Sequence, residues 1–167
     1  SRNSVLTEEY NGSSWTAGGA LNASPTFFIG SGGTQTAGLR VGGYTGPVGT
    51  VLQSEVEEYN GSSWTAVTAI PTATGQGMFA GTQTAGLFYG GSNPALGSGT
   101  SPFTNNSQTW DGTNWATTNS LNNNKTNLRG WGSSTSGAVA GGRVPAPSST
   151  NQTEVYDGTN WSASATL

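Results

Sequence analysis

The chain has 167 residues, of which 8% are charged, with a formal net charge of −3 and neither cysteine nor histidine. Without cysteine there is no disulfide framework and no thiolate zinc site, and without histidine the commonest general base and transition-metal ligand are missing. The five basic residues, Arg2, Arg40, Lys125, Arg129 and Arg143, form no stripe able to neutralise a phosphate backbone, so nucleic acid is not an expected partner.

Read in chain order, the sequence repeats itself. Residues 1–21 hold a half unit built on Glu9-Tyr10-Asn11-Gly12-Ser13-Ser14-Trp15-Thr16-Ala17, and full units follow at 22–70, 71–121 and 122–167 within a single repeat domain spanning 1–167. In the first full unit a Gly-rich first strand is expected from Thr26 to Gly32. It precedes Gly33-Thr34-Gln35-Thr36-Ala37-Gly38-Leu39-Arg40-Val41-Gly42-Gly43. A third strand from Glu55 to Tyr59 and a fourth from Trp64 complete the unit, with Asn60-Gly61 between them. A type I′ turn there needs φ > 0 at both central residues, which suits Asn-Gly. The loop closes either through Asn-Gly alone or through Asn-Gly-Ser-Ser, and in both cases Tyr59 and Trp64 share one face of the sheet.

The second full unit repeats the pattern with a first strand at Thr74 to Ala80, a second at Ala85 to Tyr89 ending on Gly90-Gly91, and Trp110-Asp111-Gly112-Thr113-Asn114-Trp115. The third runs from Thr126 to Trp131 through Gly141-Gly142 to Tyr156-Asp157-Gly158-Thr159-Asn160-Trp161. The Gly-Gly pairs fall 48 and 51 residues apart and the aromatic motifs 49, 51 and 46 apart, so length varies only in connections. A period of about fifty residues with four short strands suits propeller blades rather than helical solenoids. The Tyr and Trp rings are therefore assigned to packing between blades.

Three and a half units fall short of the four to eight blades with which propellers usually close. The chain is thus expected to be a segment of a longer array, or one copy in an oligomer whose exposed edges pair, so its partners are further repeats or other copies. It begins at Ser1 in mid-repeat, which fits a processed chain or a segment. No apolar run nears the roughly 20 residues that span a bilayer, and the first residues lack a signal-peptide pattern, so a soluble chain without membrane insertion is expected.

An apolar stretch ending in Gly-Gly, a variable loop, then Tyr, a turn and Trp resembles the kelch repeat of β-propellers, with a shorter Tyr-to-Trp interval. The Asp-Gly-Thr-Asn-Trp turn is also similar to the Asp-box hairpin of sialidase-type propellers, lacking the residue expected between Asp and Gly. Over nearly the whole chain, the segments Gly-Thr-Gln-Thr-Ala-Gly-Leu and Glu-Glu-Tyr-Asn-Gly-Ser-Ser-Trp-Thr-Ala resemble the tandem repeats of marine phage structural proteins. That resemblance implies a virion tail or fibre component that displays a surface for host adhesion, located on the virion or outside the cell. The alternative is a free lectin-type propeller binding cell-surface glycans between blades.

Catalysis and cofactors are not expected. The copper-radical oxidases built on kelch-like blades need histidine ligands and a cysteine cross-linked to tyrosine. Glycoside hydrolysis needs two carboxylates about 5–9.5 Å apart across one bond. The acids here, Glu8, Glu9, Glu55, Glu57, Glu58, Asp111, Glu154 and Asp157, sit at equivalent places of different units, which disperses them around a ring. Asp111 and Asp157 read as turn formers. No run has the oxygen density of a calcium loop, so no metal is expected. Asn-X-Ser/Thr triplets such as Asn22-Ala23-Ser24 are what an Asn- and Ser-rich chain produces by chance.

Candidate binding residues are those that break the repeat. Trp131 replaces a small residue, with Arg129 two positions earlier on the same face, and this Trp either fills a gap between diverged blades or stacks on a sugar. Arg40 and Arg143 flank Gly-Gly pairs, and Phe103 lies in the long polar loop from Ser92 to Asn106, expected to be exposed.

Overall fold

The computed structural model describes residues 4–24, 30–45, 51–93, 103–145 and 149–167. Regular structure among them is all β, and no helix there is long and apolar enough to cross a membrane. A hairpin of β1 (Glu8–Tyr10) and β2 (Trp15–Ala17) comes first. Three four-stranded sheets follow: β3 (Gly30–Thr34), β4 (Ala37–Thr45), β5 (Val51–Tyr59) and β6 (Trp64–Val67); then β7 (Met78–Thr82), β8 (Ala85–Tyr89), β9 (Ser107–Trp110) and β10 (Trp115–Thr118); then β11 (Arg129–Gly132), β12 (Gly137–Ala140), β13 (Thr153–Tyr156) and β14 (Trp161–Ala163). Within each sheet the strands lie in chain order and every neighbour is antiparallel. The first strands form an inner row in which β7 touches β3 on one side and β11 on the other. These are β-propeller blades, three complete and one half.

The first strands begin later than the sequence suggests. Gly75 makes a lone bridge to Ser92 and Thr126 one to Arg143, and the next residues, Gln76 and Asn127, take φ of 61° and 51°. A left-handed residue turns the backbone out of the pleat, so regular pairing starts only at Met78 and Arg129. In the first blade the expected start, from Thr26, falls on residues 25–29, outside those described, and the strand is seen from Gly30.

The hairpin between third and fourth strands closes through four residues, since Tyr59 pairs with Trp64. It is not a type I′ turn, because Gly61 is left-handed (φ 90°) while Asn60 is not. The side chain of the first loop residue closes the turn instead. Asn60 Oδ1 accepts from the amides of Ser62 (3.0 Å) and Ser63 (2.9 Å), and Asp111 Oδ1 from those of Thr113 (2.8 Å) and Asn114 (2.7 Å), with Asn11 and Asp157 doing the same. The amides of Asn114 and Thr113 hold the Asp111 carboxyl below its ordinary value, and those of Asn160 and Thr159 do so for Asp157.

No blade buries its own face. One apolar cluster joins Leu39, Val41 and Val56 of the first blade to Phe79, Phe88 and Trp110 of the second, and another joins Leu87 and Tyr89 of the second to Val139, Tyr156 and Trp161 of the third. The cross-strand ring pairs Trp110–Trp115 and Tyr156–Trp161, with centroids 4.9 and 5.1 Å apart, lie at these seams, and Tyr59–Trp64, 5.0 Å apart, faces the β1–β2 hairpin. Their polar tips reach back one blade: Trp115 Nε1 donates to Thr68 O (2.9 Å), Trp161 Nε1 to Ser107 Oγ (3.0 Å), and Tyr59 Oη to Glu9 Oε1.

The Gly-Gly pairs serve the same seam. Gly43 N donates to Thr74 O (3.1 Å) and Gly91 N to Lys125 O (2.7 Å), each across to the loop leading into the next blade. Both glycines of each pair are left-handed, and a Cβ on Gly42 would stand 2.6 Å from Thr74 O. A side chain there would force the blades apart.

Two outcomes are predicted. Trp110→Ala, at a buried seam position, costs about 3–5 kcal/mol in urea unfolding, whereas Trp15→Ala, at an exposed one, costs under about 1 kcal/mol. Because the folded-state pKa values of Asp111 and Asp157 are depressed, their contribution is present above the unfolded-state value and is lost as pH falls through the folded one. The stability difference between the parent and a D111N/D157N variant, read from unfolding curves, is therefore expected to shrink below about pH 4.

Candidate functional site

Because strands alternate in direction, the connections between first and second and between third and fourth strands gather at one end of the blades. The longer connections between second and third strands, and from blade to blade, gather at the other. That loop end carries the Gly-Gly pairs and the polar groups that distinguish one blade from the next.

Two carboxylates are buried at equivalent register there. Glu57 on β5 lies opposite Arg40 on β4 and accepts from Arg40 Nη1 at 3.1 Å, while the lead-in loop gives it Asn22 N (2.7 Å), Asn22 Nδ2 (3.0 Å) and Ala23 N (3.1 Å). Glu154 on β13 takes Lys125 Nζ at 2.6 Å and Asn122 N and Nδ2 at 2.7 and 2.8 Å. All four ionised side chains are almost fully buried. Burial pulls the Arg40 guanidinium below its ordinary pKa and the charges of Glu57 and Glu55 push back. In the second blade Pro71 stands where Asn22 and Asn122 stand, with no N–H to give, and neutral Gln108 replaces the carboxylate.

Arg40 is therefore not a surface binding residue. It occupies the place of apolar Phe88 in a fully covered central strand, where an unpaired charge would cost several kcal/mol, and Glu57 neutralises it. Arg143 and Phe103 are brought together: the exposed Arg143 guanidinium of the third blade lies 5.8 Å from the Phe103 ring centroid of the second. Arg143 is fixed by backbone bonds to Thr126 of 3.0 and 2.8 Å, and Thr126 Oγ1 donates to Gln76 Oε1 at 2.6 Å. The left-handed backbone at Gln76 and Asn127 costs on the order of 1–3 kcal/mol each and sets both amide side chains at this end.

Trp131 and Arg129 stand apart from that cluster, on β11 opposite Ala138 and Ala140. The Trp131 ring is 60% exposed and fills no gap, and Arg129 Nη1 turns to Leu128 O (3.1 Å). The polar loop from Ser92 to Asn106 is not wholly exposed: Ser92, Asn93 and Thr104 are buried, and residues 94–102 lie outside those described.

Beside the buried Lys125–Glu154 pair an open trough of about 1030 Å³ is walled by Asn122, Asn123, Asn124, Pro145, Asn151 and Gln152, with Asn123 Nδ2 donating to Gln152 Oε1 (3.1 Å). Sequence reading missed this trough and the burial of Lys125. The available signal was Glu57 and Glu154, each two residues before a seam ring and so on the same buried face, where a carboxylate needs a cation. Among the described residues no three carboxylates converge as a metal site would require.

No family model and no curated protein matches the chain. The fold recurs among solved proteins: 127 chains match it. The structure of YjhT is similar with a TM-score of 0.70 over 90% of this chain at 12% sequence identity, a likeness of fold alone. The chain spans 48% of the length of YjhT.

The buried pairs give a stability prediction. Lys125→Met is expected to cost about 3–5 kcal/mol by stranding Glu154, and K125M/E154L much less than the sum of the single changes, measured by urea unfolding of a double-mutant cycle.

Proposed function

We propose that the chain is a non-enzymatic structural and host-surface-binding module of a phage virion, a tail or fibre component located on the virion or outside the cell. The observation that carries the non-catalytic part is the use of charge inside the scaffold. Glu57 and Glu154 are locked in buried ion pairs, Asp111 and Asp157 close turns, and Glu9 accepts from Tyr59. What the loop end offers to solvent is amides, hydroxyls and the Arg143–Phe103 pair, a chemistry of recognition rather than proton transfer. The virion assignment rests on the likeness of the tandem repeats to marine phage structural proteins, and further repeats or copies of the chain are the proposed partners.

A second reading, a free lectin-type propeller, is favoured by the amide-lined trough at Asn122 to Asn124, since paired amides suit the hydroxyls of a sugar. The two separate by experiment. Co-purification with virions and binding to whole host cells, weakened about tenfold by Arg143→Ala, is expected for the virion module. Absence from virions together with binding across a glycan array supports the lectin and overturns the virion reading. Hydrolysis of any array glycan that is lost in a Glu154→Gln variant still folded by circular dichroism overturns both.

A further inference from the structure

The β1–β2 hairpin holds the place of the third and fourth strands of a blade. Glu8 faces Ala17 and Tyr10 faces Trp15, as Glu57 faces Ala66 and Tyr59 faces Trp64. Leu21 N donates to Val5 O, as Ile70 N does to Ser54 O and Leu121 N to Asn105 O. In each complete blade a second strand runs along the third, with Gly38 opposite Tyr59, Gly86 opposite Trp110 and Gly137 opposite Tyr156. Along β1 no second strand lies among the described residues. Tyr10 and Trp15 are consequently 47% and 65% exposed, where Tyr59, Trp110 and Tyr156 are at most 5%.

A groove of about 340 Å³ marks the gap, bordered by Glu8, Tyr10, Trp15, Gln35, Tyr59 and Trp64. Gln35 shows what the gap is shaped for. Its counterpart Gln83, in the same tight turn one blade on, donates through Nε2 to Gly38 O (3.2 Å) and Tyr59 O (2.8 Å), the second and third strands of the preceding blade. Gln35 has no second-strand carbonyl to reach and lies 3.4 Å from Glu9 Oε2.

Charge completes the pattern. Glu8 has the register of Glu57 and Glu154, each of which is matched by a cation, whereas no cation is paired with Glu8 among the described residues. In the first blade that cation comes from the second strand, two residues before Gly-Gly and directly opposite the acid.

We propose that the groove and the free edge of β1 receive the second strand of another repeat of this kind, presented in its hairpin with a first strand. That strand has glycine opposite Tyr10 and arginine opposite Glu8, as in Ala37-Gly38-Leu39-Arg40-Val41-Gly42-Gly43. Backbone bonds to the β1 edge give affinity, and the Glu8–Arg pair gives selectivity. This surface is independent of whether the module binds a host.

The test titrates the full chain with a synthetic peptide of the sequence of residues 30–45, reading amide exchange along β1 and acrylamide quenching of Trp15. The peptide is expected to slow exchange and protect Trp15. The same peptide with Arg40→Glu binds about tenfold more weakly, and Glu8→Lys in the protein reverses that preference. A peptide of residues 51–67, carrying third and fourth strands, does not compete. Glu8 is exposed, so E8K is expected to unfold at the parent urea midpoint, which verifies that the charge swap is read on a folded chain. No change at β1 at millimolar peptide, equal binding of all peptides, no reversal in E8K, or dimerisation of the chain through this edge in place of peptide binding would each overturn the proposal.

Discussion

The structure depends on a constraint set by strand length. A four-stranded sheet whose strands are mostly three to five residues long, as all but β4 and β5 are, has too little area to bury its apolar side chains within itself, so each blade is stable only against its neighbour. The seam has three parts, and all belong to the repeat. Rings from the third and fourth strands supply area, the tips of Tyr59, Trp115 and Trp161 bond one blade back, and the Gly43 and Gly91 amides bond one blade forward. Gln83, whose amide reaches two carbonyls of the preceding blade, adds a fourth tie at the opposite end.

The scarcity of charge has a counterpart in where the charges sit. Four of the thirteen charged side chains form two interior pairs that anchor the lead-in loops of the first and third blades. Buried pairs seldom add much net stability, because desolvation offsets attraction. Their effect here is positional: each carboxylate accepts both N–H groups of an asparagine and so fixes the loop that carries the variable surface. The second blade holds no such pair: apolar Phe88 faces neutral Gln108, whose buried Oε1 has no hydrogen-bond partner, and Pro71 has no N–H to give.

Much of the architecture was legible because repetition multiplies weak signals. The strand count, the antiparallel order and the shared face of Tyr59 and Trp64 followed from period, turn residues and alternation. What was not legible depended on conformation at single residues or on contacts between blades. Gln76 and Asn127 carry no sequence mark of a left-handed backbone, so the residue pattern alone places the start of the inner strands too early. The sequence leaves a two-residue and a four-residue turn open at Asn60-Gly61, and Asn60 Oδ1, by taking two amides, decides for the longer loop. Arg40 has the residue type of a surface group, and only its place opposite Glu57 in a covered strand marks it as buried, while the meeting of Arg143 with Phe103 joins residues of different blades that no local pattern links.

The central claim is that the blades are held by bonds and burial across the seam rather than within each sheet. Native-state hydrogen exchange at the Gly43 and Gly91 amides, which donate across it, tests this most directly. The account predicts that both exchange only by the same cooperative opening that exposes the amides of β4 and β8. Exchange of Gly43 and Gly91 at the rate of open chain, while those strands stay protected, would contradict it.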